Sequence, residues 1–172
     1  MDFNAIWNSY YPRLFVFVRP FFSSVQDRED AVQEIFTRIF SNLSRYNNRY
    51  SFGTWIYRIA RNYCIDQYRR SNRTRDIQDQ LQQDCLVHYQ KQNAVFNPET
   101  KCLETELKQQ IRNLIFTLEK TDQQLCYLYH YEDLNYREIA AALRMPVGTV
   151  KYRMHRIRNK IKKGWEAYHA GT

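Results

Sequence analysis

The sequence predicts an all-α chain of two small helical domains joined by a flexible linker, the C-terminal one containing a helix-turn-helix. Three observations carry that prediction. Val147, Val150, Met154, Ile157 and Ile161 recur three and four apart, as on the buried face of a helix. The same spacing recurs in the N-terminal half at Val32, Ile35, Phe36, Ile39, Phe40 and Leu43. Between them, Ser71 to Pro98 holds six glutamines and few apolar residues, too little to bury, and reads as a linker.

Composition narrows the function. A chain of 172 residues that is 44% hydrophobic and 16% aromatic suffices for small cores. Its net charge of +8, gathered in a few stretches, points to a polyanion, and nucleic acid fits better than general solubility. The longest apolar run near the start, Leu14 to Val18, ends at Arg19 and Pro20, so no membrane insertion is expected. The widely spaced cysteines Cys64, Cys85, Cys102 and Cys126, with no export signal, suggest reduced thiols and a cytoplasmic location. Only four glycines occur, which excludes glycine-rich phosphate loops, and no HExxH or paired CxxC is present. Cys85 and His88 have a metal-like spacing but no further ligands nearby. No metal, cofactor or catalytic site is expected.

The elements follow in order. Phe3 to Phe22, rich in aromatics, reads as a helix that is kinked or restarted at Pro12. Asp27 to Leu43 is amphipathic, with Asp27, Glu29 and Asp30 at its positive first turn. Its solvent side carries Asp30, Gln33, Glu34 and Thr37, which by spacing alone is an ordinary solvated face. Tyr46 to Tyr50 is a polar, aromatic loop. Ser51 then caps a helix to about Arg70 that buries Phe52, Trp55, Ile56, Ile59, Ala60 and Tyr63. Its other face holds Arg58, Arg61, Asn62, Asp66, Arg69 and Arg70 beside Tyr57 and Tyr68, read here as exposed. Two readings of that face are even: a single-stranded nucleic-acid surface of cations and stacking rings, or core aromatics with solvated arginines.

After the linker, Leu103, Leu107, Ile111, Leu114, Ile115 and Leu118 line one helix, and Thr121 with Gln124 reads as a capping box for the next, which buries Leu125, Leu128 and Tyr129. Asn135 and Glu138 form a second such box before Tyr136, Ile139, Ala140 and Leu143. Arg144-Met145-Pro146 breaks that helix, and Pro146 suits the opening of another. From Arg144 to Lys163 eight Lys or Arg stand with no acid among them. Opposite the apolar stripe lie Tyr152, His155, Arg156, Asn159 and Lys163, with Lys151 and Arg153 on the shoulders. A helix entering a major groove needs such an arrangement: side chains that reach base edges, flanked by cations for phosphates.

Three blocks carry a family resemblance: Asp30-Ala-Val-Gln33-Glu34-Ile-Phe36; Phe52-Gly-Thr-Trp55-Ile-Tyr-Arg58-Ile-Ala-Arg61-Asn62-Tyr-Cys-Ile-Asp66; and Tyr136-Arg-Glu138-Ile139-Ala140 through Pro146-Val-Gly148-Thr149-Val150-Lys151. In this order the chain resembles the bacterial extracytoplasmic-function sigma factors, the small two-domain promoter-recognition subunits of RNA polymerase. The likeness covers roughly Tyr10 to Ile161 apart from the linker. It implies a core-polymerase- and minus-ten-binding domain at 1–72, a linker at 73–98, and a minus-thirty-five-binding domain at 99–172. It further implies that Asp30, Gln33 and Glu34 dock on the clamp helices of the largest polymerase subunit, that the flap is a second contact, and that an anti-sigma factor is a partner. Asn47, Asn48, Tyr50, Trp55, Arg58, Arg61 and Asn62 would take up the melted minus-ten strand, with Asn62 near an extruded base. Thr149, Lys151, Tyr152, Arg153, His155 and Arg156 would contact the minus-thirty-five element.

Departures from the family pattern carry expectations too. Arg144 stands where the family usually has glycine, and positive φ costs a non-glycine residue on the order of 1 kcal/mol, so a reshaped turn is expected. Tyr152 stands where serine is common and implies an altered upstream preference. The alternative function is a stand-alone helix-turn-helix regulator that binds duplex DNA as a dimer. It would have no need of the Asp30-Gln33-Glu34 strip. A nucleic-acid hydrolase or transferase would require a carboxylate cluster, which Asp66 alone does not make.

Overall fold

A computed structural model describes residues 2–79 and 106–169 of the chain. Among the described residues there are seven α-helices and no strand: α1 (Phe3–Val18), α2 (Val25–Ser41), α3 (Phe52–Asp79), α4 (Glu106–Phe116), α5 (Lys120–His130), α6 (Tyr136–Ala142) and α7 (Val147–His169). A 3-10 turn, Leu43–Arg45, follows α2. The chain divides into two compact units, one holding α1 to α3 and the other α4 to α7. Of the expected linker, 73–79 continues α3 as helix, and the rest lies outside the described residues. α3 therefore overruns its expected end near Arg70, since no proline or glycine from Ser71 to Asp79 interrupts it.

In the first unit each helix packs on the other two. Leu14, Phe17 and Val18 of α1 meet Val32, Ile35, Phe36 and Ile39 of α2 and Ile56, Tyr57, Ala60 and Cys64 of α3 in a buried core. Each valine, leucine, isoleucine or phenylalanine among them contributes roughly 1.5–3 kcal/mol when fully buried. Along α1 the rings of Phe3, Trp7, Tyr11 and Phe15 stack at four-residue intervals, 5.3 to 6.2 Å apart. Trp7 and Phe3 also meet Phe36 and Phe40 of α2, at 4.4 and 4.2 Å. The helix is not restarted at Pro12. Pro12 and Asn8 both lie on the solvent side, where the Asn8 carbonyl deprived of its usual donor can bind water. The cap of α2 is Ser24, whose Oγ accepts from the Asp27 N–H at 2.9 Å.

In the second unit α7 packs against α4, α5 and α6. Val150, Met154 and Ile157 are buried with Leu125, Leu128, Ile139, Ala142 and Leu143. Near its far end α7 passes so close to α4 that a Cβ on Gly164 would stand 2.5 Å from Leu114 Cδ2. Burial first, and then the charge of Asp122, push the Cys126 thiol up to about 11, so it is packing material rather than a nucleophile. α5 begins at Lys120 with Glu119 at the N-cap, and no side-chain cap forms there. The capping box expected from Thr121 and Gln124 is thus absent: the N-cap is Glu119, two residues earlier, and Gln124 is buried inside the helix. The box on α6 does form. Asn135 Oδ1 accepts from the N–H groups of Arg137 and Glu138 at 2.9 and 3.1 Å, and Glu138 Oε2 accepts from the Asn135 N–H at 3.0 Å.

The turn of the helix-turn-helix keeps the conformation that glycine would favour. Arg144 sits at φ 47°, and the Met145 N–H closes onto the Ala140 carbonyl at 3.0 Å, a Schellman-type end. The expected reshaping does not occur, because Leu143 on one side is fully buried and Pro146 on the other is committed to opening α7. The strain is borne locally. Arg144→Gly should therefore stabilise the second unit by about 1 kcal/mol, seen as a higher urea midpoint of the full chain. An unchanged or lower midpoint would show that Arg144 contributes something that offsets its backbone strain.

Candidate nucleic-acid interface

The helical period that buries Val150, Met154 and Ile157 turns Lys151, Tyr152, His155 and Asn159 outward. Tyr152 is 65% exposed, a large ring held in water at the centre of that face. His155 and Asn159, one turn apart, pair at 3.0 Å between Nε2 and Nδ2, which orients the imidazole. Thr149 is half-buried near the start of α7.

The remaining cations of α7 are not all loose. Arg153 and Arg156 both reach back to the first turn of α5. Arg153 Nη1 donates to Asp122 Oδ1 at 2.6 Å and Glu119 Oε2 at 3.3 Å. Arg156 Nη2 donates to Asp122 Oδ2 at 2.8 Å and Glu119 Oε1 at 3.4 Å. The Asp122 side chain is only 3% exposed, whereas that of Arg156 keeps 45% of its surface. The hydrogen bond to Asp122, ahead of other causes, raises the pKa of each arginine, so both remain cations at any relevant pH. Arg158 Nη2 donates to the Tyr136 hydroxyl at 3.2 Å, with its guanidinium 5.8 Å from the centre of the Tyr129 ring. Lys160 Nζ donates to the Thr117 carbonyl at 3.1 Å. The outward face of α7 is thus narrower than spacing alone implies: Lys151, Tyr152, His155 and Asn159 stand clear, while Arg153 and Arg156 are steered toward α5.

In the first unit the loop before α3 exposes Asn47, Asn48 and Tyr50. Its shape is held from beneath. The Tyr46 hydroxyl donates to the Tyr50 carbonyl at 3.0 Å, and the Tyr46 ring packs 5.2 Å from Phe52 and 5.4 Å from Trp55. Arg58, Arg61 and Asn62 are half-buried at three- and four-residue spacing on α3. Two expectations need correction. Trp55, expected among the strand-binding side chains, is 7% exposed and stacks on Phe52 at 5.7 Å, so its faces are already used to support the loop. Tyr57, read as exposed, is 1% exposed against Phe17, while Tyr68 is the exposed ring. Asp30, Gln33 and Glu34 are all exposed along α2, with Asp30 Oδ1 accepting from Gln26 Nε2 at 3.2 Å.

Residues 6–74 match the family model for sigma-70 region 2, and residues 108–161 match that for sigma-70 region 4. The chain is 33% identical over 139 residues to the ECF RNA polymerase sigma-E factor of Escherichia coli K12, an alignment covering 78% of this chain and 72% of that protein. It is one of the ECF RNA polymerase sigma factors. It is also 28% identical over 163 residues to the ECF sigma factor SigW of Bacillus subtilis, covering 94% of this chain and 87% of the relative. The fold matches that of the sigma factor RpoE of Bartonella quintana, solved in complex with the anti-sigma factor NepR, at a TM-score of 0.74 and 21% identity, covering 96% and 97% of the two chains.

This sigma factor therefore directs RNA polymerase to promoters, and a stand-alone regulator is not favoured. Among the described residues no helix is long and apolar enough to cross a membrane. The feature that sequence reasoning missed is the pairing of Glu119 and Asp122 with Arg153 and Arg156. The available signal was two acids three apart facing two arginines three apart, but nothing local says that these turns meet. The Tyr46 support was likewise not foreseen. Removing its hydroxyl in Tyr46→Phe should cost about 1 kcal/mol and speed amide hydrogen exchange across 47–50 while α1 and α2 keep their protection. Unchanged exchange in that loop would show that ring packing alone holds it.

Proposed function

We propose that the two units of this sigma factor read two different forms of promoter DNA. The 99–172 domain reads duplex at the minus-thirty-five element through α7, with Lys151, Tyr152 and His155 toward base edges, Thr149 near the helix start, and Arg153 and Arg156 adding charge from positions set by α5. The 1–72 domain takes up the melted minus-ten strand through Asn47, Asn48, Tyr50, Arg58, Arg61 and Asn62, and docks on the clamp helices through Asp30, Gln33 and Glu34. The flap is a further polymerase contact. One observation carries the reading: a helix whose charged residues from Lys151 to Lys163 are all cations in one unit coexists with an exposed asparagine-tyrosine loop leading into an Arg58-Arg61-Asn62 face in the other. The protein does no chemistry of its own and works in the cytoplasm. An anti-sigma factor that covers both DNA surfaces is a further partner; the Bartonella protein was solved bound to an anti-sigma factor.

The physics of the two surfaces differs. A helix in a major groove meets bases already displayed, whereas the N-terminal domain must meet bases that have left the stack. Asparagine amides can pair with an unstacked base edge, and Tyr50 supplies a stacking face worth about 1–3 kcal/mol per base. That is comparable with the few kcal/mol that extrusion costs, so capture succeeds where the duplex opens easily.

Two outcomes follow. Asp30→Ala with Gln33→Ala should weaken binding to core RNA polymerase without shifting the thermal midpoint, because both side chains face solvent. Unchanged core affinity would remove the strip from the docking surface. Asn62→Ala should leave closed-complex formation nearly unchanged and reduce open complexes, with recovery on a template premelted at the minus-ten element. Loss of duplex binding that premelting does not restore would make Asn62 a structural residue.

A further inference from the structure

Asp122 lies beneath the surface that α7 presents, yet it controls what one side chain on that surface can do. Its carboxylate is held from both sides, by Arg153 Nη1 on Oδ1 at 2.6 Å and by Arg156 Nη2 on Oδ2 at 2.8 Å, so it cannot turn away from either. Glu119 draws on the same Arg156 nitrogen at 3.4 Å. A guanidinium offers two parallel donor pairs, Nη1 with Nη2 at its end and Nε with Nη2 along its side, and a guanine O6/N7 edge needs one of them. Both pairs include Nη2. With the hydrogens of that nitrogen committed to α5, Arg156 keeps Nε–H and Nη1–H, which serve a phosphate or a single acceptor but not a two-point contact with guanine.

We infer that Asp122 is a specificity-determining positioning residue: by holding Arg156 Nη2 it withholds arginine–guanine reading at that position and leaves base selection to Tyr152 and His155. The inference rests on α7 being the helix that reads the upstream element. Two features of the outward face agree with it. Tyr152 is the exposed ring at its centre, and His155 is already oriented by Asn159. Neither is drawn toward α5.

The test uses holoenzyme assembled from core RNA polymerase and the full chain, incubated with a duplex pool randomised over the upstream element, and the bound fraction is sequenced. Asp122→Asn preserves size and one acceptor but removes the charge that holds Arg156. It should produce a gain of about tenfold in preference for guanine at one base pair, the discrimination typical of a two-point arginine contact. That gain should vanish in the Asp122→Asn, Arg156→Gln double variant. In the otherwise unaltered chain, Arg156→Gln should lower binding by a similar factor on all sequences, whereas Tyr152→Ala should change which sequences are chosen. The inference is overturned if Arg156→Gln alone abolishes an existing guanine preference, or if Asp122→Asn lowers binding evenly with no gain. Should Asp122→Asn fail to fold, Asp122→Glu displaces the carboxylate by one methylene while keeping its charge, and the same gain or its absence decides. Unaltered holoenzyme that selects no upstream sequence would instead overturn the assignment of α7 itself, an outcome distinct from the others.

Discussion

The C-terminal unit depends on how a helix crowded with like charge is kept in place. From Lys151 to Lys163 every charged residue of α7 is a cation, and self-repulsion of that kind opposes the compact state. Two things oppose it. Val150, Met154 and Ile157 remove apolar surface from water on one side. On another, Glu119 and Asp122 place two carboxylates against Arg153 and Arg156. A carboxylate as buried as that of Asp122 is costly to desolvate, and the arrangement is sustained because each of its oxygens accepts a charge-assisted hydrogen bond. The absence of a side-chain cap on α5 fits the same picture, since the N-cap residue Glu119 spends its carboxylate on α7.

The N-terminal unit answers a different demand. Its loop keeps polar side chains exposed without collapsing, and the support comes from rings packed against one another. Tyr46, Phe52 and Trp55 form a cluster under the loop, and the Tyr46 hydroxyl fixes its far end at Tyr50. Trp55 therefore serves this loop as foundation. Aromatic side chains in this unit serve mainly as packing, from the Phe3-Trp7-Tyr11-Phe15 stack to Tyr57 against Phe17.

Local signals in the sequence proved reliable where one helix settles the matter by itself. The stripe of α7, the Asn135-Glu138 box and the solvent-facing strip of α2 each follow from residues within a few turns of one another. What was not legible is non-local or depends on width. Periodicity separates an apolar face from a polar one but does not say how far around the helix the neighbours extend, so Tyr57, on the flank of the Trp55-Ile56 face, was misjudged. On a helical projection Arg153 stands on a shoulder like Lys151, and Arg156 stands with Tyr152 and His155. Only the approach of α5 sets the two arginines apart from these neighbours, and that approach joins residues more than thirty positions apart.

Arg144 shows how such distant constraints override a local preference. Glycine would remove the cost of φ 47° at no loss of backbone geometry, yet the turn is retained with arginine in it. The turn is fixed by what it connects: α6 must end with Leu143 buried, and α7 must start so that Val150 and Met154 reach the same core. A strain of about 1 kcal/mol is small beside the burial of those side chains, so the backbone yields at Arg144 rather than the packing elsewhere. The same hierarchy governs the outward face of α7. Packing sets the rotation of α7 about its axis, the α5 carboxylates then set two of its arginines, and Lys151, Tyr152, His155 and Asn159 are left on the outward face without a hold on α5.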